Sequence, residues 1–132
     1  MKRVTGLGGI FFKCEDPTAT AKWYQEHLGI KMAYGAMSIF EWRDNDNPDK
    51  KSQTVWAAFK KSSAKFDPGG KEFMVNYIVD NLVALIDELK KEGVTVIGEI
   101  QDDEYGKFAW IQDTDGNKIE LWEPAEEKES SD

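Results

Sequence analysis

Two stretches of this chain follow one plan at a nearly constant spacing, and that restricts the fold more than any other feature. The first runs from an apolar segment, residues 8–14, through Asp16-Pro17 and an amphipathic stretch to Gly29. The second runs from the apolar segment 73–79 through Asp80-Asn81 and another amphipathic stretch to Gly93. Asp16 and Asn81 stand 65 residues apart (81 − 16), and Gly29 and Gly93 stand 64 apart (93 − 29). Such a register implies two copies of one strand–helix–three-strand unit.

Local chemistry supports each element. Asp16 is a helix N-cap with Pro17 at the first helical position, Ala21, Tyr24 and Leu28 recur at helical spacing, and Gly29 suits a left-handed cap. A helix is therefore predicted over 17–28. Asn81 caps a second helix over 81–92, with Leu82, Leu85, Ile86 and Leu89 as its apolar stripe. Strands are predicted over 38–43, 54–59, 108–112 and 118–123, with further strands starting at 30–32 and 94–97. Residues 44–52 lack apolar side chains and read as a loop, 99–104 is polar and acidic, and 61–71, with Asp67-Pro68-Gly69-Gly70, reads as a linker. The expectation is an α+β domain over 1–124, with modules at about 4–60 and 72–124, followed by a disordered acidic tail, 125–132.

Charge and cysteine usage limit the function classes. The net charge of −8 argues against nucleic acid or an anionic membrane as partner. No apolar run approaches the roughly 20 residues of a membrane span. The single cysteine, Cys14, excludes an internal disulfide framework and makes a reducing cytoplasm the expected location. Cys14 lies in an apolar strand and reads as an inert buried thiol, and the lone histidine, His27, as a cation at a helix C-terminus.

The chemistry gathers near the C-terminus. Asp113-Thr114-Asp115-Gly116-Asn117 is turn-forming, and the strand after it puts Ile119 and Leu121 on one face and Glu120 and Trp122 on the other. Trp42, Trp56, Trp110 and Trp122 all fall on predicted strands, with Phe40, Phe108 and Tyr105 near them. If Trp56 is the repeat of Glu120, their separation of 64 (120 − 56) matches the helix register. Trp122 and Trp56 then face a cleft, and indole walls around one carboxylate suit a planar, apolar or cationic small molecule.

Trp23-Tyr24 with Leu28-Gly29-Ile30, and Asp115-Gly116-Asn117 with Ile119-Glu120-Leu121, resemble the vicinal oxygen chelate superfamily over about residues 4–124. That superfamily contains glyoxalase I, extradiol dioxygenases, and fosfomycin- and bleomycin-resistance proteins. The resemblance implies paired βαβββ modules with curled mixed sheets around a cleft, often completed in a homodimer. In metal-dependent members the cleft takes one ligand from the first and one from the last strand of each module. The corresponding positions here are Gly9, Met74, Trp56 and Glu120, of which only Glu120 suits a hard or borderline metal. No metal or cofactor is therefore expected. The functional expectation is a dimeric small-molecule binder whose ligand meets Trp56, Trp122, Trp110, Trp42, Phe40, Met74, Gly9 and Tyr105. Its alternative is a metal-independent lyase or isomerase with Glu120 as general base.

Overall fold

A computed structural model describes residues 2–126. The elements are β1 (Val4–Cys14), α1 (Pro17–Leu28), β2 (Met37–Arg43), β3 (Lys51–Lys60), a short 3₁₀ turn (Ala64–Phe66), β4 (Phe73–Val79), α2 (Leu82–Lys91), β5 (Val96–Asp103), β6 (Gly106–Gln112) and β7 (Lys118–Pro124). Seven strands form one mixed sheet in the order β2-β3-β1-β4-β7-β6-β5. The modules meet where β1 pairs antiparallel with β4, and within each module the first strand runs parallel to the last. This is the expected α+β class. From residue 127 onward the expected tail lies outside the described residues.

The caps are those the residues call for. Asp16 accepts from the Ala19 N–H and Asn81 from the Ala84 N–H, each at 3.2 Å. Gly29 closes α1 at φ 69°, a left-handed conformation that glycine adopts without steric cost.

The strand at 30–32 and the loose linker need correction, and the strand starting at 94–97 forms but runs further. The strand predicted to start at 30–32 does not form. Ala33 and Tyr34 turn back on the Met37 carbonyl, Gly35 takes φ 50°, and a single bridge between Tyr34 and Met37 remains. With its backbone groups spent on that turn, the first module is β-α-β-β, and only the second has three strands after its helix. The β5 strand begins within 94–97 but continues through the acidic run to Asp103, past an irregularity between Ile97 and Gln101 where Gly98 has φ 68°. The linker 61–71 also packs: its Phe66 is 1% exposed and meets Phe59 edge to face at 5.4 Å.

The two helices cover one face of the sheet unequally. Leu82, Leu85, Ile86 and Leu89 of α2 are buried with Val79, Ala109 and Leu121. At about 1.5–3 kcal/mol per large aliphatic side chain, that stripe is the main store of apolar burial. In α1 only Ala21 is buried, and Trp23 and Leu28 are exposed.

Candidate functional site

Strand pairing lays a row of side chains across the face opposite the helices. Ile39 of β2 pairs with Val55 of β3, Val55 with Gly9, Gly9 with Asn76, Asn76 with Glu120, and Glu120 with Trp110. Residues directly paired in a ladder share a face. The neighbouring row, Trp56, Ile10, Val75, Ile119 and Ile111, lies on the helix side. There Trp56 packs against Tyr24 of α1 at 4.9 Å and Phe12 at 5.3 Å.

Trp56 therefore does not join Glu120. Its counterpart in the second module is Ile119, because both pair with the strand residues of the central Ile10–Val75 pair. The counterpart of Glu120 is Ala57, by the same argument from Phe11–Met74 and Gly9–Asn76. The last strands are thus offset by 63 residues (120 − 57), one fewer than the helix ends suggest. A one-residue slip moves a side chain to the opposite face of a sheet. Phe40 and Trp42 alternate along β2 with Ile39, so their Cα–Cβ bonds also leave the other face. Phe40 is exposed, and the Trp42 ring lies against Gly6 while its N–H donates to Thr54 Oγ1 at 2.8 Å.

The open face keeps Gly9, Met74, Trp110, Glu120 and Trp122. Phe108 pairs with Trp122 and stacks on it at 5.9 Å, nearly parallel. The Trp122 N–H donates to the Tyr105 carbonyl at 2.9 Å, which fixes the indole under the β5–β6 turn. Tyr105 itself projects from that turn and is exposed. An open cleft of about 820 Å³ lies at this end of the sheet. Glu41 of β2 and Tyr105 both line it, although they belong to opposite wings of the strand order, so the sheet curls into a trough. Its lining carries seven carboxylates, Glu41, Asp44, Asp49, Asp80, Glu104, Glu123 and Glu126, against two ammonium groups, Lys50 and Lys51. Trp122 forms part of its wall. Glu120 does not line it; it sits two residues back along β7.

Glu120 occupies a different setting. Asn76 Nδ2 donates to its Oε2 at 2.8 Å, and burial pushes its carboxyl above the ordinary carboxylate range. The Asn76 amide, the Trp110 indole N–H, and the charges of Lys65 and Lys118 pull in the other direction. The far end of the trough is closed by the segment carrying Phe66. Lys118 Nζ donates to the Lys65 carbonyl at 2.7 Å, Lys13 lies over the Phe66 ring, and Lys118 lies over Trp110. The trough is thus acidic and open at one end, and lysine-rich and filled at the other. The turn before β7 is held by Asp113, which accepts from the Asn117 side-chain amide and from the Asn117 and Asp115 N–H groups, each at 2.9 Å; those bonds, the side-chain one foremost, keep its carboxyl below the usual range.

Sequence reasoning missed Asn76, Lys118 and Phe66. Asn76 was visible as the one polar residue inside Phe-Met-Val-Asn-Tyr-Ile-Val. Phe66 stood alone among polar and turn residues.

A metal site of the kind the resemblance implies would draw on Gly9, Met74, Glu120 and, with the register corrected, Ala57. Two of these have no donor atom and one is a thioether, so the set does not fit a divalent ion. Among the described residues no group of three or more His, Cys, Asp or Glu side chains is placed to hold one.

No curated protein matches the sequence. Among solved structures, methylmalonyl-CoA epimerase from Mycobacterium tuberculosis is 25% identical over 93% of this chain and 90% of its own, with a TM-score of 0.62. A single-residue variant of the Streptomyces coelicolor methylmalonyl-CoA epimerase, in complex with 2-nitronate-propionyl-CoA, is 16% identical over 93% and 99%, with a TM-score of 0.70. A superfamily member from Vibrio splendidus 12B01 is 12% identical over 89% and 98%, with a TM-score of 0.56. The family model described as Glyoxalase/Bleomycin resistance protein/Dioxygenase superfamily matches residues 6–121, and the chain belongs to that superfamily.

Proposed function

We propose that the protein binds a small aromatic or cationic molecule in the open end of the trough, without a metal. The observation that carries this reading is the cleft of about 820 Å³ walled by Trp122 and Tyr105 and lined by carboxylates in excess. Indole and phenol faces attract planar and cationic groups, and the carboxylates favour a positive charge. A thermal-shift screen of aromatic metabolites, amines and cationic antibiotics tests it, because a ligand of the folded state raises stability with the logarithm of its saturation ratio. Hits should quench tryptophan fluorescence and weaken at least tenfold in Trp122→Ala. A screen in which only anionic compounds bind would overturn the reading.

One observation favours a second reading, a metal-independent lyase or isomerase with Glu120 as general base. A carboxyl raised by burial is better matched to accepting a proton near neutral pH than an exposed one. The 25% identity to an epimerase points the same way, since removing a proton and returning it to the other face is one route to inverting a stereocentre. Turnover abolished in Glu120→Gln, with ligand binding retained, would support it. Glu120 does not line the open cleft, so this chemistry requires the bound molecule to reach inward past Trp122.

A homodimer in the cytoplasm completes the proposal. Trp23, Leu28, Tyr34 and Phe40 are all exposed around the thinly packed first module. Sedimentation at tens of micromolar protein should give twice the chain mass, and a monomer there would overturn this part.

A further inference from the structure

The floor of the trough holds one buried polar group that its surroundings only half satisfy. Asn76 is 2% exposed, and its Nδ2 donates to Glu120 Oε2. Its Oδ1 is buried with no hydrogen-bond partner. That oxygen points at Gly8, where an added Cβ would overlap it and would also come within 3.0 Å of Ile78 Cγ1. Any side chain at position 8 would displace the amide. Buried carbonyls are rarely left unpaired, because each carries a desolvation cost with nothing to offset it.

The unpaired atom has a consequence for Glu120. Rotating the amide by half a turn exchanges Oδ1 and Nδ2 in nearly the same volume, and the torsion that does so is soft. Turning Oδ1 away from Gly8 gives up no hydrogen bond, so the Gly8 side does not hold the amide in its present orientation. The choice is left to Glu120. An ionised carboxylate only accepts, so it requires Nδ2; a protonated one can also donate, and of the two amide atoms only Oδ1 accepts that O–H. A fully bonded asparagine would be locked in the first state and would oppose protonation.

We propose that Asn76 is a positioning residue whose amide turns over with the proton on Glu120, so that the carboxyl keeps a hydrogen-bonded partner whether charged or neutral. The inference rests on the second reading above, in which Glu120 exchanges a proton with the bound molecule. In that exchange a proton leaves an acidic C–H or O–H of the ligand for a Glu120 oxygen, and the electron pair of the broken bond stays on the ligand. The new Oε2–H donates to Asn76 Oδ1, and the reverse step restores the first state. The groups facing Glu120 are Lys65 from the 61–71 segment, Lys118 from β7 and the Trp110 N–H from β6. β4 adds Asn76 and β1 adds only glycine at the paired position. Asp67 acts on Lys118, and Lys13 lies over Phe66.

The test is nuclear magnetic resonance on the wild-type protein without ligand, following the Glu120 carboxyl carbon and the Asn76 side-chain amide through a pH titration. The expected result is that the Asn76 amide signals move with the Glu120 midpoint. Below that midpoint the contact between the Asn76 amide protons and the Gly8 α-protons should strengthen, a pH-dependent change that a fixed amide does not produce. In Glu120→Gln the Asn76 signals should be flat. If that variant does not fold, the pH-dependent contact to Gly8 in the wild type decides alone. Asn76 signals that stay constant, or that shift with no change in the contact to Gly8, would overturn the proposal. Such a result, alongside turnover that dies in Glu120→Gln, would leave the general-base reading intact.

Discussion

Replacing Phe66 with alanine tests whether the segment between the modules belongs to the folded body. Phe66 is 1% exposed, meets Phe59 edge to face at 5.4 Å, and lies under the Lys13 ammonium at 5.3 Å. Buried Phe→Ala substitutions cost about 3–5 kcal/mol, the lower end applying where neighbours collapse into the gap. The 3₁₀ turn of Ala64–Phe66 is a surface segment free to settle, so the expected loss is about 3 kcal/mol. Ordinary domains are stable by only about 5–15 kcal/mol, so that is a large share of the total. For a chain of this length it corresponds to a melting temperature lower by roughly 10 °C. Urea unfolding followed by tryptophan fluorescence should show an earlier midpoint at an unchanged slope. Phe66→Leu should recover more than half of the loss. A loss below about 1 kcal/mol would show that 61–71 is a loose linker after all and that the lysine-rich end of the trough is open.

Three further outcomes are expected. Burial raises the Glu120 carboxyl, so its neutral form favours the folded state; that contribution is full below about pH 4 and is lost as pH rises through the raised value. Glu120→Gln should therefore gain stability relative to wild type as pH rises above about 4 and through the raised value, measured by urea unfolding at each pH; a difference that does not change with pH would refute the buried-carboxylate account. Trp56→Ala should lower stability by about 2–3 kcal/mol, below the range for a fully buried aromatic because Trp56 is half-buried, through the lost contacts with Tyr24 and Phe12, and should leave the affinity of any cleft ligand within about threefold; a selective loss of binding would return Trp56 to the site. Prolonged dialysis against EDTA should leave the melting temperature unchanged within about 1 °C, as the donor set at Gly9, Ala57, Met74 and Glu120 implies; a drop reversed by one divalent ion would show a metal held by other residues.

Much of the fold was legible because its signals are local. Asp16-Pro17 and Gly29 bound α1, Asn81 starts α2, and the stripe Leu82, Leu85, Ile86 and Leu89 is buried as its spacing implies. The Asp113–Asn117 turn was legible for the same reason: its hydrogen bonds run between residues two and four apart. The strand expected at 30–32 failed because its residues are committed to a turn around Gly35, and apolar spacing does not report turn geometry. Phe66 was hidden by its composition. A lone aromatic among Ser, Lys, Asp, Pro and Gly reads as loop, and only the position of β3 and β7 around it gives it somewhere to go.

The site was half legible, and the boundary is a single residue. Alternation along β7 placed Glu120 and Trp122 together correctly, because parity within one strand is a property of the chain alone. Parity between strands depends on every turn and bulge between them. The inter-module offset is 65 at the helix starts, 64 at the helix ends and 63 at the last strands, so the second module loses one residue across its helix and another between the helix and the last strand. Carrying the offset of 64 to β3 assigned Trp56 to the cleft, whereas the true offset assigns Ala57 and turns Trp56 toward α1. The same slip explains why a small residue stands opposite the only carboxylate of the row. Ala57 is buried on the cleft face beside Phe11 and Met74, and the bulk that the count placed there is spent instead on covering the otherwise thin core of the first module. A cleft with one carboxylate and an alanine counterpart is asymmetric in a way that a metal centre built from both modules is not, and it leaves Asn76, from the central strand pair, as the direct hydrogen-bonding partner of Glu120.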